Sequence, residues 1–216
     1  MNVSEFQEWL GTVPDGKWGP NSRAALFAKY TNKNAPAVND GDIVAFASTL
    51  GCSIEQMRAV AKVESSGGGF DNSGRPKILF ERHYFHRLTD GRWSPSIYSD
   101  PNAGGYSIDS WEKLSQACGR DPFAALQSAS WGKFQIMGAH WNALGYDSPI
   151  AMTHAMAESE AAHYDAFVRF VKVNGLADEL RACSSDPETC RAFAKGYNGS
   201  GYAKFNYHVK IAAALA

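Results

Sequence analysis

Two glutamates 17 positions apart, Glu64 and Glu81, are the residues here whose type and setting best suit paired acid chemistry. Two carboxyl groups in one cleft can cleave a glycosidic bond. One protonates the leaving oxygen, while the other handles water or the developing cation. A glutamate keeps its proton near neutral pH when burial or the negative end of a helix disfavours the ionised form. The sequence around Glu64 offers both conditions. Ser53 followed by Gln56 is a capping-box signature, which predicts a helix from about Ile54. At about 100° per residue, Ile54, Met57, Val60 and Ala61 share one side, and Glu64 falls on that side at the C-terminal end. Gly67, Gly68 and Gly69 then stop the helix and leave room for a ligand beside the backbone. Without those neighbours, Glu64 would read as an ordinary surface residue at a helix end.

Residues 78–81 suit a short strand, with Leu79 and Glu81 on the face opposite Ile78 and Phe80. A helix, a turn and a strand can set Glu64 and Glu81 on opposite walls of one cleft. Arg75 and Arg82 are expected close enough to keep Glu81 ionised. The same arginines equally allow Glu81 to be one half of a structural ion pair.

The elements that must position these residues are mostly helices. Phe6, Trp9 and Leu10 suit a short helix stopped by Gly11, Pro14-Asp15-Gly16 is a turn, and Pro20 opens a second helix through Phe27. Residues 32–38 read as a linker. Asp40 can cap a helix through Ile43, Val44, Phe46, Ala47 and Leu50, ended by Gly51. Residues 89–109 are turn-rich and carry Trp93, Tyr98 and Tyr106, rings that can stack on sugar faces or pin the loop to the body. Further helices are expected at residues 111–118, from Pro122, from Pro149 towards Asn174, from Pro187, and over roughly residues 203–215. In the apolar run at residues 131–138, Gln135 must find partners or serve a ligand. The fold class is mainly α with a small β-hairpin region.

Composition bounds the function. A chain of 216 residues with 44% apolar content suits one ordinary domain plus a small appendage. A net charge of −1 argues against nucleic acid as a partner and gives no reason for tight binding to anionic lipid. No apolar run is long enough to span a bilayer, so no stable membrane insertion is expected. The opening MNVSEFQEWL lacks the basic start and apolar core of a signal peptide, pointing to the cytoplasm. The four cysteines (Cys52, Cys118, Cys183, Cys190) show no zinc-type pairing. Free thiols are expected, with a Cys183–Cys190 bridge open only in an oxidising compartment. His83, His86, His154 and His163 form no recognisable ligand set, and there is neither a serine nucleophile elbow nor a phosphate-binding glycine loop. Neither a metal nor a cofactor is expected.

Near the start, FQEWLG and DGKWGPNSRAAL resemble about half of a small helical peptidoglycan-binding repeat. Further on, Glu64-Ser65, then Gly132-Lys133-Phe134-Gln135-Ile136, then Tyr197-Asn198-Gly199 stand in an order that resembles the lysozyme-like superfamily. More closely, VESSGGGF with GRPKILFERHYFHRLT is similar to the N-acetylmuramidase domain of phage endolysins. Lys133 departs from the usual pattern but leaves Gln135 in place. The resemblance implies a short helical segment at residues 1–35 and a lysozyme-like catalytic domain at residues 39–216. It implies bacterial peptidoglycan as the partner, and a monomer held in the host cytoplasm until a separate membrane pore releases it. It further makes Glu64 the acid that cleaves between N-acetylmuramic acid and N-acetylglucosamine. Gln135 and Tyr197 become residues that contact sugar or position Glu64, and Asn198 does likewise or shapes its turn. Two other readings stand beside this one. A lytic transglycosylase would cut the same bond with one acid and leave an anhydro sugar, and a wall-binding protein would keep the fold without activity.

Overall fold

The computed structural model describes residues 1–64, 68–93 and 109–216, and Tyr98 and Tyr106 lie outside them. The chain divides into two compact units, the first comprising Met1–Ala35 with Phe70–Glu158 and the second Pro36–Gly69 with Ser159–Ala216.

In the first unit, α1 (Val3–Leu10), α2 (Pro20–Tyr30), α5 (Arg82–Leu88), α6 (Ser110–Cys118), α7 (Pro122–Gln127) and α8 (Pro149–Glu158) accompany a small sheet. Its strands are β1 (Ile78–Phe80), β2 (Ala129–Trp131) and β3 (Ile136–Met137), antiparallel in the order β1-β2-β3. Ile78 pairs with Trp131 and Phe80 with Ala129, while Trp131 also faces Ile136 across the second ladder. The expected hairpin is therefore part of a three-stranded sheet, because the apolar run around Gln135 folds back as β2 and β3. Gly132 and Gln135 make that turn with φ of 68° and 51°.

The first 35 residues belong to the core of this unit. Phe6 stacks on Trp9 and Trp18 at centroid distances of 5.5 and 6.0 Å. Tyr30 is fully buried, with its hydroxyl 2.8 Å from Thr153 Oγ1 and its ring against Trp111 and Trp131. The Trp18 indole donates to Ser115 Oγ at 3.2 Å. The chain leaves this unit at residues 35–36, within the compositional linker. The grouping nonetheless differs from a division at that linker alone, because α1 and α2 bury their aromatics with residues 70–158.

The second unit contains α3 (Asp40–Leu50), α4 (Ile54–Glu64), α9 (Glu160–Val173), α10 (Ala177–Ala182), α11 (Arg191–Asn198) and α12 (Tyr207–Leu215). Asn39, one residue before Asp40, caps α3 in a reciprocal box with Asp42. Ser53 and Gln56 form the box expected for α4, at 3.1 and 2.9 Å. The Gln56 amide also donates to the carbonyls of Arg181 and Cys183, at 2.8 Å each, tying α4 to the end of α10. Met57, Ala59, Val60 and Ala61 are buried on α4, against which α12 packs, and Ile211 and Ala212 are buried on α12. The single helix expected from Pro149 towards Asn174 is interrupted at Ser159, whose hydroxyl caps α9 by accepting from the Ala162 amide. Four free cysteines are present, three of them buried.

Candidate active site

Glu64 is the last residue of α4, and Asn198 is the last of α11. Asn198 Nδ2 donates to Glu64 Oε1 at 3.2 Å, so the carboxyl is held by a neutral amide. Next to Asn198, the Tyr197 ring stacks on Phe193 at 5.7 Å and meets Phe167 and Phe170 at 5.6 and 5.3 Å. Burial and the nearby Glu64 push the Tyr197 phenol well above its usual range. Tyr207, near the start of α12, is half-buried and is likewise pushed up, first by burial and then by Glu64.

Burial also dominates Glu64, raising its pKa to about 7 against the opposing pull of the Asn198 hydrogen bond and the Lys210 ammonium. The C-terminal end of α4 adds a negative potential of its own. A carboxyl half-protonated near neutrality can donate a proton and then accept one back. Beyond the helix, Gly68 is exposed, with open space where a side chain would begin.

The other expected residues belong to the first unit. The strand ends at Phe80, so Glu81 stands at the N-cap position of α5, where its side chain makes no capping hydrogen bond. Its partner is His83, with Nδ1 3.5 Å from Oε2. Arg75 is engaged elsewhere, with Asp71 at 3.1 Å and with the rings of Phe27 and Trp111, because the turn at residues 71–75 folds the arginine back onto its own aspartate. The expectation that Arg75 attends Glu81 is therefore corrected. Lys113, deeply buried on α6, lies within electrostatic reach of Glu81, Arg82 and Asp109.

Gln135 accepts from Ser130 Oγ at 2.8 Å and donates to the Gly132 carbonyl at 2.8 Å, which satisfies its amide within the hairpin. Trp93 is half-buried under the Arg120 guanidinium, 5.0 Å from the ring centre, and its buried indole N–H has no hydrogen-bond partner among the described residues. Tyr106 falls outside the described residues. The structure thus gathers Glu64, Tyr197 and Asn198, while Glu81, Gln135 and Trp93 make separate local contacts. Sequence reasoning missed Tyr207 and Lys210. Their only signal was an i, i+3 spacing on a terminal helix without a motif. Among the described residues, no group of three or more His, Cys, Asp or Glu side chains could hold a metal ion.

The N-acetylmuramidase family model matches residues 53–216, well over half of the chain. This chain belongs to the N-acetylmuramidase family. It is a glycoside hydrolase of mainly helical, lysozyme-like fold with a small antiparallel sheet. The muramidase is also similar to a solved structure described as the crystal structure of Burkholderia AP3 phage endolysin. The two share 32% identity at a TM-score of 0.74, covering 99% of this chain and 93% of the other. No protein with a curated description matches significantly. No described helix of the muramidase is long and apolar enough to cross a membrane.

Proposed function

We propose that this muramidase is an endolysin that hydrolyses the β-1,4 bond between N-acetylmuramic acid and N-acetylglucosamine, with Glu64 as the general acid. The observation that carries this reading is a half-buried carboxyl at a helix end, held by Asn198 and protonated up to about pH 7. In the reaction, Glu64 gives its proton to the glycosidic oxygen as the bond to the anomeric carbon breaks. Water adds to the resulting cation, and a carboxylate removes the proton that water must lose. Asn198 keeps Glu64 in place, and Tyr197 supplies the apolar wall that disfavours its charge. Gln135 serves through the hairpin that its amide braces, and Trp93 and Tyr106 are the candidate rings for sugar stacking.

Catalysis is assigned to residues 39–216. Residues 1–35 retain part of a wall-binding pattern and supply core to the first unit. As an endolysin, the protein would wait in the host cytoplasm and reach the wall through a separate membrane pore.

Glu64→Gln tests the assignment, because the amide keeps the size and hydrogen bonding of the side chain but has no acidic proton. Murein cleavage should fall by about 10²–10⁴-fold, with an unchanged circular dichroism spectrum. Wild-type turnover in a folded Glu64→Gln variant would remove Glu64 from the mechanism.

A further inference from the structure

Charge is segregated towards the C terminus. Residues 189–216 carry Arg191, Lys195, Lys204 and Lys210 but no aspartate or glutamate, in a protein whose net charge is −1. The turn from α11 to α12 gathers two of these lysines with two rings. It leaves Asn198 as a 3-10 turn over Gly199–Tyr202 and enters α12 after Asn206, which has a left-handed φ of 55°. Lys204 Nζ lies 5.6 Å from the centre of the Phe205 ring, and Phe205 meets Tyr207 edge-on at 6.2 Å. Lys210 Nζ lies 5.4 Å from the centre of the Tyr207 ring, so all four side chains form one patch. Phe205 is 54% exposed and Val209 42%, which leaves apolar surface open to a ligand. Lys204 and Lys210 are exposed and form no ion pair among the described residues. We propose that Lys204, Phe205 and Lys210 form a substrate-recognition surface for the peptide that muramic acid carries. The two ammonium groups pair with its free carboxylates, and the Phe205 ring covers its apolar atoms. The inference rests on murein being the substrate.

The patch is held in place from both sides. Arg191 of α11 donates to the Tyr202 hydroxyl at 3.4 Å, and the Tyr202 ring meets the buried His208 of α12 edge-on at 5.4 Å. The Phe205 amide donates to the Gly201 carbonyl at 3.4 Å, and the Phe205 ring folds back to within 3.8 Å of where a side chain on Gly201 would begin. A turn anchored in this way loses little freedom when a ligand binds. Its place also suits the substrate. Asn198, at one end of the turn, donates to Glu64, and α12, at the other end, packs along α4, whose last residue is Glu64. A sugar chain held at Glu64 therefore has the patch beside it. Charge selects the occupant. An exposed ring flanked by two unpaired cations complements an anionic ligand with apolar stretches better than a neutral sugar. A murein peptide is such a ligand, with small apolar residues and free carboxylates. An ammonium resting on an aromatic face still has N–H donors to give to a carboxylate.

The test uses full-length Glu64→Gln as a binder that does not consume its substrate, and measures its sedimentation with two insoluble mureins. One is native, and the other has its carboxylates converted to neutral amides with carbodiimide and ammonia. The parent should bind the native form more tightly. Adding Lys204→Gln and Lys210→Gln should weaken binding to native murein by roughly 3–10-fold, the size expected of two exposed charges, and leave binding to amidated murein unchanged. Arginine at both positions should restore the parental affinity, and Phe205→Ala should weaken binding to both mureins. Unaltered affinity of the folded double glutamine variant for native murein would overturn the inference, as would an equal loss on both substrates. So would intact murein binding in that variant alongside lost binding to phosphatidylglycerol vesicles, or alongside a lost dimer in analytical ultracentrifugation. Soluble fragments released by Glu64→Gln would mark a failure of the catalytic reading alone, because released sugar and pelleted protein are counted separately. A parent that pellets with neither murein would fail both.

Discussion

At the scale of single residues, the burial of Glu64 carries a cost. Its folded-state pKa of about 7 lies above the ordinary value of 4.5, with burial the main cause. The folded protein thus holds a proton that the unfolded chain releases between those values. The stability this proton contributes is fully present below about pH 4.5 and is lost as pH rises through 7. Glu64→Gln, which never ionises, should match wild type near pH 4 and exceed it at pH 8 by about 3 kcal/mol. Thermal melts at the two pH values measure this, and equal gains at both would deny the raised pKa. Glu81 poses the complementary question. If it is the second carboxylate, Glu81→Gln should lose most hydrolysis while folding normally. Unchanged turnover would return Glu81 to a structural pair with His83.

Glu64 was legible because its helix face, its cap and the glycines after it are all local patterns. The role of Asn198 as a donor to Glu64 was only one of two readings, since it depends on where α11 ends in space. Lys210 was not legible at all, because electrostatic reach across two helices leaves no mark in sequence.

At the scale of elements, caps and periodicity set most of what could be foreseen. The Ser53–Gln56 box placed the start of α4, and its apolar face came out buried. Breaks written by one polar residue were harder to see, as at Ser159, where a serine cap divides one apolar stretch into α8 and α9. The run around Gln135 read as apolar with one amide. Its conversion to a hairpin needed β1 as a partner, a contact distant in sequence.

The first two helices show the same effect more strongly. Composition marks residues 32–38 as a linker, but nothing local reveals that Tyr30 packs its ring against both Trp111 and Trp131. Deleting residues 1–35 should therefore destabilise the first unit, since the void left by a buried aromatic alone costs about 3–5 kcal/mol. A truncated protein melting at the wild-type temperature would show that α1 and α2 are an attachment.

At the scale of the whole molecule, membership of the N-acetylmuramidase family and likeness to a phage endolysin structure make the chain a glycoside hydrolase. The family and the fold were legible because three short motifs stand in order along the chain. The products of the reaction were not, since hydrolysis and transglycosylation break the same bond and differ only in what attacks the sugar cation. Mass spectrometry of purified murein digested by the full-length protein separates them. Water as the nucleophile leaves reducing muramic ends, each heavier by one water than the anhydro form. The account predicts reducing ends from wild type and almost no new ends from Glu64→Gln. Predominantly anhydro-muramic products, or reducing ends formed equally by Glu64→Gln, would contradict it.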